Sequence, residues 1–189
     1  MLGPVAEERG ADSLSLRLHP AMDTPDGQRL ATGSPEGRVR VWGIASHQLV
    51  ASSPWKPRFV NDLAFSPGGK LLAVVEQPGA IVLWDLSGQR PLRRLVGHAG
   101  PVNRLAFSPD GRTLASAGMD HTIRLCHPEI DQEVAILKGH SRWVWCVAFA
   151  EYGNALLSGS RDGTLKLRRA LSFEQIEGRD RAGVASRLK

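Results

Sequence analysis

The sequence predicts an all-β protein built as an array of small antiparallel sheets, because one pattern recurs every 42 residues. Phe65, Phe107 and Phe149 are spaced by 42 residues. The same spacing holds for a series of four glycines, Gly27, Gly69, Gly111 and Gly153. A fixed period of roughly 40 residues is typical of proteins whose repeats are small units that bury their apolar faces only by stacking on each other.

Each unit carries the signals of four short strands. The segments 60–74, 102–116 and 144–158 align without a gap, and Val102, Leu105 and Phe107 provide the apolar positions of a first strand. The Pro-Asp-Gly at 109–111 is typical of a tight turn. Further strands are expected at 113–117, 122–126 and 133–137. Four short strands joined by tight turns form an antiparallel meander, and meanders that stack radially form a β-propeller.

Four units are expected, at about 13–54, 55–97, 98–139 and 140–171. A tail at 1–12 precedes them, and residues 172–189 follow. In the first unit, residues 14–20 are expected to form the first strand, with extra residues around 21–25 before Asp26-Gly27. Ser172 and Gly178 have the positions of a cap and a stop for a short C-terminal helix, which a basic flexible tail would follow.

These motifs resemble the WD-repeat β-propeller family. Gly97-His98 stands near the start of a unit, Ser-Pro-Asp-Gly occupies 108–111, and Trp84-Asp85 ends a third strand. The resemblance covers residues 13–170 and implies an array of four four-stranded antiparallel blades. Because propellers have roughly four to eight blades, closure stays open between an open arc, a tight ring of four blades, and a ring completed by self-association or by another chain.

The resemblance also implies a hydrogen-bonded set inside each blade, made of the His of Gly-His, a Ser or Thr, the Asp of the next turn and a Trp. The matching positions are His98, Ser116 and Asp120 in the third unit, His140, Ser158 and Asp162 in the fourth, and Thr32, Trp42 and Trp84 in the first two. Cys126 and Arg168 replace the Trp in the last two units. A catalytic triad would use the same residue types, but the trio recurs one period later, which favours a structural role.

The sequence predicts no enzyme, no cofactor and no metal site. No stretch matches a phosphate-binding loop, a His-Glu-x-x-His motif or a Gly-x-Ser-x-Gly motif. Cys126 and Cys146 lack Cys-x-x-Cys spacing and are expected to be reduced, buried thiols. No apolar run approaches the roughly 18 residues of a membrane span. The N-terminus lacks a basic region followed by an apolar stretch, so a cytoplasmic location without membrane insertion is expected.

The leading functional hypothesis is a non-enzymatic scaffold that binds a protein or peptide, because WD-repeat propellers commonly dock partners on their loop-rich face. The period places three groups there: Asn61, Asn103 and Trp145 at the starts of first strands, Gln77, Met119 and Arg161 before the turn acid, and Arg142 and Trp143 in the adjacent loop. Trp and Arg are enriched at interface hot spots. The pattern predicts a surface position and a core position equally well for Trp145, and it favours a core position for Trp143.

Two alternatives remain open from the sequence. The ending resembles the C-termini of bacterial WD-repeat proteins associated with serine/threonine protein kinases, so the chain is alternatively a regulatory or sensor piece of a larger enzyme. A weaker alternative is nucleic-acid binding through the basic tail. Residues 161–189 hold eight Lys and Arg against four Asp and Glu, which is most of the net charge of +5.

Overall fold

A computed structural model describes residues 21–34, 38–55, 59–76, 78–130, 132–150 and 152–169. Blade 1 consists of β1 (Ala21–Asp23), β2 (Arg29–Gly33), β3 (Val39–Gly43) and β4 (Leu49–Ser52). Blade 2 consists of β5 (Val60–Phe65), β6 (Leu71–Glu76), β7 (Ala80–Asp85) and β8 (Arg90–Leu95). Blade 3 consists of β9 (Val102–Phe107), β10 (Leu114–Gly118), β11 (Ile123–His127) and β12 (Gln132–Leu137). Blade 4 consists of β13 (Val144–Phe149), β14 (Ala155–Ser160) and β15 (Leu165–Arg169).

The predicted all-β fold of four antiparallel sheets is confirmed. In each blade the strands follow one another in sequence order, and every neighbouring pair is antiparallel. Three blades have four strands, and blade 4 has three among the described residues. The short C-terminal helix and the tails predicted at 1–12 and 172–189 lie outside the described residues.

A tight turn at the same position of each period joins the first two strands of a blade. The N–H of Gly69 donates to the carbonyl of Ser66, and that of Gly111 to the carbonyl of Ser108, each at 2.8 Å. Both glycines have positive φ, 64° and 72°. A side chain with a Cβ is disfavoured in that conformation, which explains why glycine recurs here every 42 residues.

The expected insertion in the first unit was wrong. Strand β1 occupies 21–23 and pairs directly with β2, Ala21 opposite Thr32. The N–H of Gly27 then donates to the carbonyl of Thr24 at 2.8 Å, as in the other turns. Since Gly27 already precedes Gly69 by 42 residues, the described residues 21–27 are in register and contain no insertion before the turn. The strand expected at 14–20 lies outside the described residues.

Apolar side chains on both faces of a blade hold the array together. Leu72 and Val74 belong to the cluster between blades 1 and 2, while Ala73 and Val75 belong to the cluster between blades 2 and 3. All four are fully buried, and they alternate because successive side chains of a strand point to opposite faces. A third cluster joins blade 3 to blade 4. Among the described strands, none of blade 1 packs substantially on a strand of blade 4, so this part of the array is open.

A buried carboxylate also connects blades 2 and 3. Asp62 accepts a hydrogen bond from the backbone N–H of Leu105 at 2.7 Å and one from the guanidinium of Arg104 at 3.3 Å. The Asp62 side chain is almost fully buried. Burial raises the pKa of this carboxyl to about 6, although the bond from Leu105 and the charge of Arg104 act in the opposite direction.

We expect Asp62→Asn to change how stability depends on pH. Between about pH 4 and pH 6 the unfolded chain releases the Asp62 proton while the folded chain retains it. The free energy of unfolding of the wild type therefore falls as pH rises through that window. The asparagine does not titrate, so the variant does not lose stability in this way. Measured by urea unfolding, the free energy of unfolding of the variant minus that of the wild type should rise by roughly 2–3 kcal/mol from pH 4 to pH 7.

Asp23→Asn, a change at an exposed carboxyl of β1, is the matched control and should show a much smaller change over the same window. A stability difference between Asp62→Asn and the wild type that stays constant from pH 4 to pH 7 would contradict the raised pKa.

Candidate functional site

An exposed cluster of aromatic and basic side chains lies at the end of blade 4 where strand β13 begins. The guanidinium carbon of Arg161 lies 4.7 Å from the centroid of the Trp143 ring. The rings of Trp143 and Trp145 meet edge to face, with centroids 5.7 Å apart and an interplanar angle of 86°. Arg161 and the neighbouring Arg142 are exposed, Trp145 is 47% exposed, and Trp143 is half-buried. Four of the predicted binding positions thus lie together.

A β-bulge explains why Trp145 and Cys146 are both exposed. Val144 pairs with Ser160, but the register shifts so that Cys146 pairs with Gly159. Simple alternation along the strand is therefore interrupted between these residues. The expected burial of both cysteines was wrong for Cys146, which is exposed, and Cys126 is only half-buried.

The same loop position in blade 3 is occupied by Met119. Its N–H donates to the carbonyl of Pro101 at 2.9 Å, just as the N–H of Arg161 donates to the carbonyl of Trp143 at 2.9 Å. Met119 is half-buried. Gln77, the corresponding position of the second unit, lies outside the described residues.

The two predicted asparagines bridge neighbouring blades. The side-chain amide of Asn61 donates to the carbonyl of Val102 at 3.2 Å, and that of Asn103 donates to the carbonyl of Val144 at 2.8 Å. Each asparagine therefore ties the start of one first strand to the start of the next. A binding role for these two positions stays a prediction.

The residues implied for the structural network are brought together in blades 3 and 4. In blade 3, Nε2 of His98 lies 2.8 Å from the hydroxyl of Ser116, and its Nδ1 lies 3.0 Å from Asp120. In blade 4 the same contacts join His140 to Ser158 and Asp162, each at 3.0 Å. The imidazole of His98 is 2% exposed, and its two hydrogen bonds tie the loop before β9 to β10 and to the turn that follows it.

Threonines complete both networks, and sequence reasoning missed them. The hydroxyl of Thr122 donates to Asp120 at 2.8 Å, and that of Thr164 donates to Asp162 at 2.6 Å. Burial alone would raise the pKa of Asp120, but hydrogen bonds from Thr122 and His98 outweigh it and lower the pKa to about 2. The Thr164 hydroxyl likewise holds the pKa of Asp162 well below its usual value. The sequence contained a signal for them, because a threonine follows the turn aspartate by two residues in both the third and the fourth unit.

The fourth member of the network differs from blade to blade. In blade 1 the indole N–H of Trp42 donates to Thr32 at 3.2 Å. In blade 4 the guanidinium of Arg168 takes that role and donates to Ser158 at 3.0 Å. Trp84 of blade 2 is fully buried, and its N–H has no partner because Val74, at the position of the Ser or Thr, has no hydroxyl.

The family model described as "WD domain, G-beta repeat" matches residues 22–43, 48–85, 89–127 and 131–168, which together make up more than half of the chain. The chain belongs to the WD-repeat family. WD repeats generally serve as protein-interaction scaffolds and are typically non-catalytic. In this WD-repeat chain the last three matches each begin near the outermost strand of one blade and end near the third strand of the next, so the repeats interlock the blades. A search of curated proteins finds no match.

Two further features of the described residues bear on function. No three His, Cys, Asp or Glu side chains within them converge on a point where a metal ion would bind. No helix in that part of the chain is long and apolar enough to cross a membrane.

A cavity marks the place where the third WD repeat has a cysteine instead of the tryptophan. It has a volume of about 120 Å³ and lies between blades 2 and 3, with Ile81, Leu95, Ser116 and Cys126 in its lining. Trp84 occupies the equivalent position one blade earlier and is fully buried. The cysteine therefore leaves space that the larger side chain fills elsewhere in the array.

We expect Cys126→Trp to stabilise the protein. The indole fills the cavity, and its N–H comes within reach of the Ser116 hydroxyl, as in the Trp42–Thr32 pair of blade 1. The gain should be on the order of 1 kcal/mol in the free energy of unfolding. Cys126→Ala is the control and should destabilise slightly. A lower melting temperature for the tryptophan variant than for the alanine variant would show that the cavity cannot accept the ring.

Ser116→Ala should destabilise the protein by about 1–3 kcal/mol, because Nε2 of the buried His98 loses its partner. Ser52→Ala removes a hydroxyl from an exposed strand position and should change stability by less than about 0.5 kcal/mol. Urea unfolding of both variants measures the difference. Equal effects at the two positions would mean that the network does not stabilise blade 3.

Proposed function

We propose that this chain is a non-enzymatic scaffold that binds a protein or peptide partner. The partner binds at the loop end, which is the end of the blades where the loops leading into β9 and β13 lie. The cluster of Arg142, Trp143, Trp145 and Arg161 forms the centre of the binding surface. The supporting observation is the stacking of Arg161 on Trp143 at an exposed loop. An arginine and tryptophans that are already oriented lose little side-chain freedom on binding, which favours affinity.

The turn that carries Arg161 is held by the blade 4 network. Asp162, the next residue, accepts hydrogen bonds from the N–H of Ser141 at 2.9 Å and from Thr164, and it contacts His140. The hydroxyl of Ser160 lies 2.9 Å from the carbonyl of Trp143. The residues on both sides of Arg161 are therefore fixed, so the polar network positions the exposed cluster.

The chemistry of the cluster favours a partner segment with a carboxylate next to an apolar or aromatic side chain. Arg142 and Arg161 are both exposed and carry positive charge. A guanidinium that stacks on an aromatic ring still offers its N–H groups at the edge, where a carboxylate binds in a bidentate manner. The Trp145 ring offers apolar area beside it.

The neighbouring positions extend the same surface in this proposal. Met119, one period before Arg161, supplies an adaptable thioether at the same loop position of blade 3. In the sequence, Asn61 and Asn103 precede Trp145 by two periods and by one, and Gln77 precedes Met119 by one period. A role in a larger enzyme, a cytoplasmic location and tail-mediated nucleic-acid binding stay predictions from the sequence, since the described residues favour none of them.

A peptide array tests the proposal even though the partner is unidentified. The purified chain is screened against peptides that combine Asp or Glu with Phe, Tyr, Trp or Leu, and hits are measured in solution by fluorescence anisotropy. We expect Trp143→Ala and Arg161→Ala to weaken binding by about 10-fold or more, the usual effect of removing a hot-spot side chain. Met119→Ala should have a smaller effect.

Tyr152→Ala and Arg112→Ala are the matched controls. Both residues are exposed. They lie beside the turns that join the first two strands of blades 3 and 4, at the opposite end of these strands from the cluster. The proposed surface is wrong if these controls weaken binding as much as the Trp143 and Arg161 variants do, or if the latter bind every hit with unchanged affinity.

A further inference from the structure

Blade 4 exposes a broad apolar face on the side away from blade 3. This downstream face consists of Trp145, Leu157, Leu165 and Leu167, which are 47%, 42%, 73% and 56% exposed. Ala148 and Cys146 lie on the exposed part of the same strand as Trp145. Four large apolar side chains side by side on one sheet are an unusual surface, since exposed apolar residues normally occur singly.

The 42-residue register identifies what the downstream face is built to contact. The positions one and two periods earlier than its leucines are Ala73, Ile81, Leu83, Ala115, Ile123 and Leu125. These residues lie in the clusters between blades 2 and 3 and between blades 3 and 4, where the following blade covers them. The leucines of blade 4 thus occupy positions that a following blade buries everywhere else in the described array.

The position of Trp145 supports the same conclusion. One and two periods earlier stand Asn103 and Asn61, whose amides donate to the first residue of the next blade's innermost strand. Residues at this point of the period therefore extend toward the following blade. The indole of Trp145 extends from the same place, beside the exposed leucines.

The chain itself carries a complementary surface on blade 1. This upstream face consists of Leu30, Thr32, Arg40 and Trp42, which are only partly buried. One period later the equivalent positions are Leu72, Val74, Val82 and Trp84, all buried, and three of them belong to the cluster that packs on blade 1. The upstream face therefore belongs to the class of surface that packs on a preceding blade.

We infer that the downstream face of blade 4 binds the upstream face of blade 1 in a second copy of the chain. The contact repeats the packing that already joins blades 1 to 2, 2 to 3 and 3 to 4. Two copies related by a twofold rotation form this contact twice and close a ring of eight blades, a size within the roughly four to eight blades of known propellers. The inference goes beyond the proposed function, because it concerns the leucine-bearing side of blade 4, and Trp145 is the one residue that the two proposed surfaces share.

The mass of the full chain in solution tests this inference. Sedimentation equilibrium should give twice the chain mass of 20.5 kDa. The double variant Leu165→Glu with Leu167→Glu should dissociate the dimer at least 10-fold more readily, because it places charges on the downstream face. Val134→Glu is the control, since Val134 is a similarly exposed apolar residue (59%) on the outermost strand of blade 3. It should remain a dimer.

A mixing experiment distinguishes the proposed contact from other dimers. Leu30→Glu on the upstream face should also give a monomer, with a melting curve to check folding. A mixture of this variant with the Leu165/Leu167 double variant should recover dimers, because one copy keeps an intact downstream face and the other an intact upstream face. If Leu30→Glu stays dimeric while folded, the upstream face is not needed for the dimer and the inference is overturned. A wild type that remains monomeric at every concentration overturns it as well.

Cys146 provides a readout that needs no substitution. It is exposed on the innermost strand beside the downstream face, whereas Cys126 is half-buried between blades. In the proposed dimer, labelling of Cys146 by iodoacetamide slows as protein concentration rises through the dissociation constant, while labelling of Cys126 stays constant. A labelling rate of Cys146 that does not depend on protein concentration contradicts the proposed contact.

Discussion

The structure depends on the packing of apolar sheet faces between neighbouring blades. A small sheet with apolar side chains on both faces is not stable alone, because both faces would remain in water. Leu72 and Val74 on one side of β6, and Ala73 and Val75 on the other, show how one strand contributes to two clusters. Each blade is stabilised by its neighbours, so the 42-residue register must be kept along the chain.

Buried polar groups have a second role, which is to fix the loops between the sheets. His98 and His140 lie in equivalent networks with a serine, a threonine and a turn aspartate. These networks hold the turn that carries Arg161 and the equivalent turn that carries Met119. The array can therefore present a few well-oriented side chains, which is the requirement for specific binding.

The sequence allowed the fold to be predicted because turn glycines and alternating apolar residues report local geometry directly. The grouping of His98, Ser116 and Asp120 was predictable from a family resemblance. The part that Thr122 plays in this network was overlooked, although Thr164 occupies the same position one period later. The insertion assigned to the first unit was an error of alignment, since Gly27 was already in register. The exposure of Cys146 was not predictable, because it depends on a bulge in β13 and on the absence of a covering blade among the described residues.

Hydrogen exchange of backbone amides tests most directly whether packing between blades controls stability. Strands β6 and β7 belong to a blade that is covered on both faces, whereas β14 and β15 belong to one whose outer face is exposed. At a dilution where the chain is monomeric, the amides of β6 and β7 should exchange markedly more slowly than those of β14 and β15. Equal protection of the two pairs of strands would contradict the view that each blade depends on its neighbours.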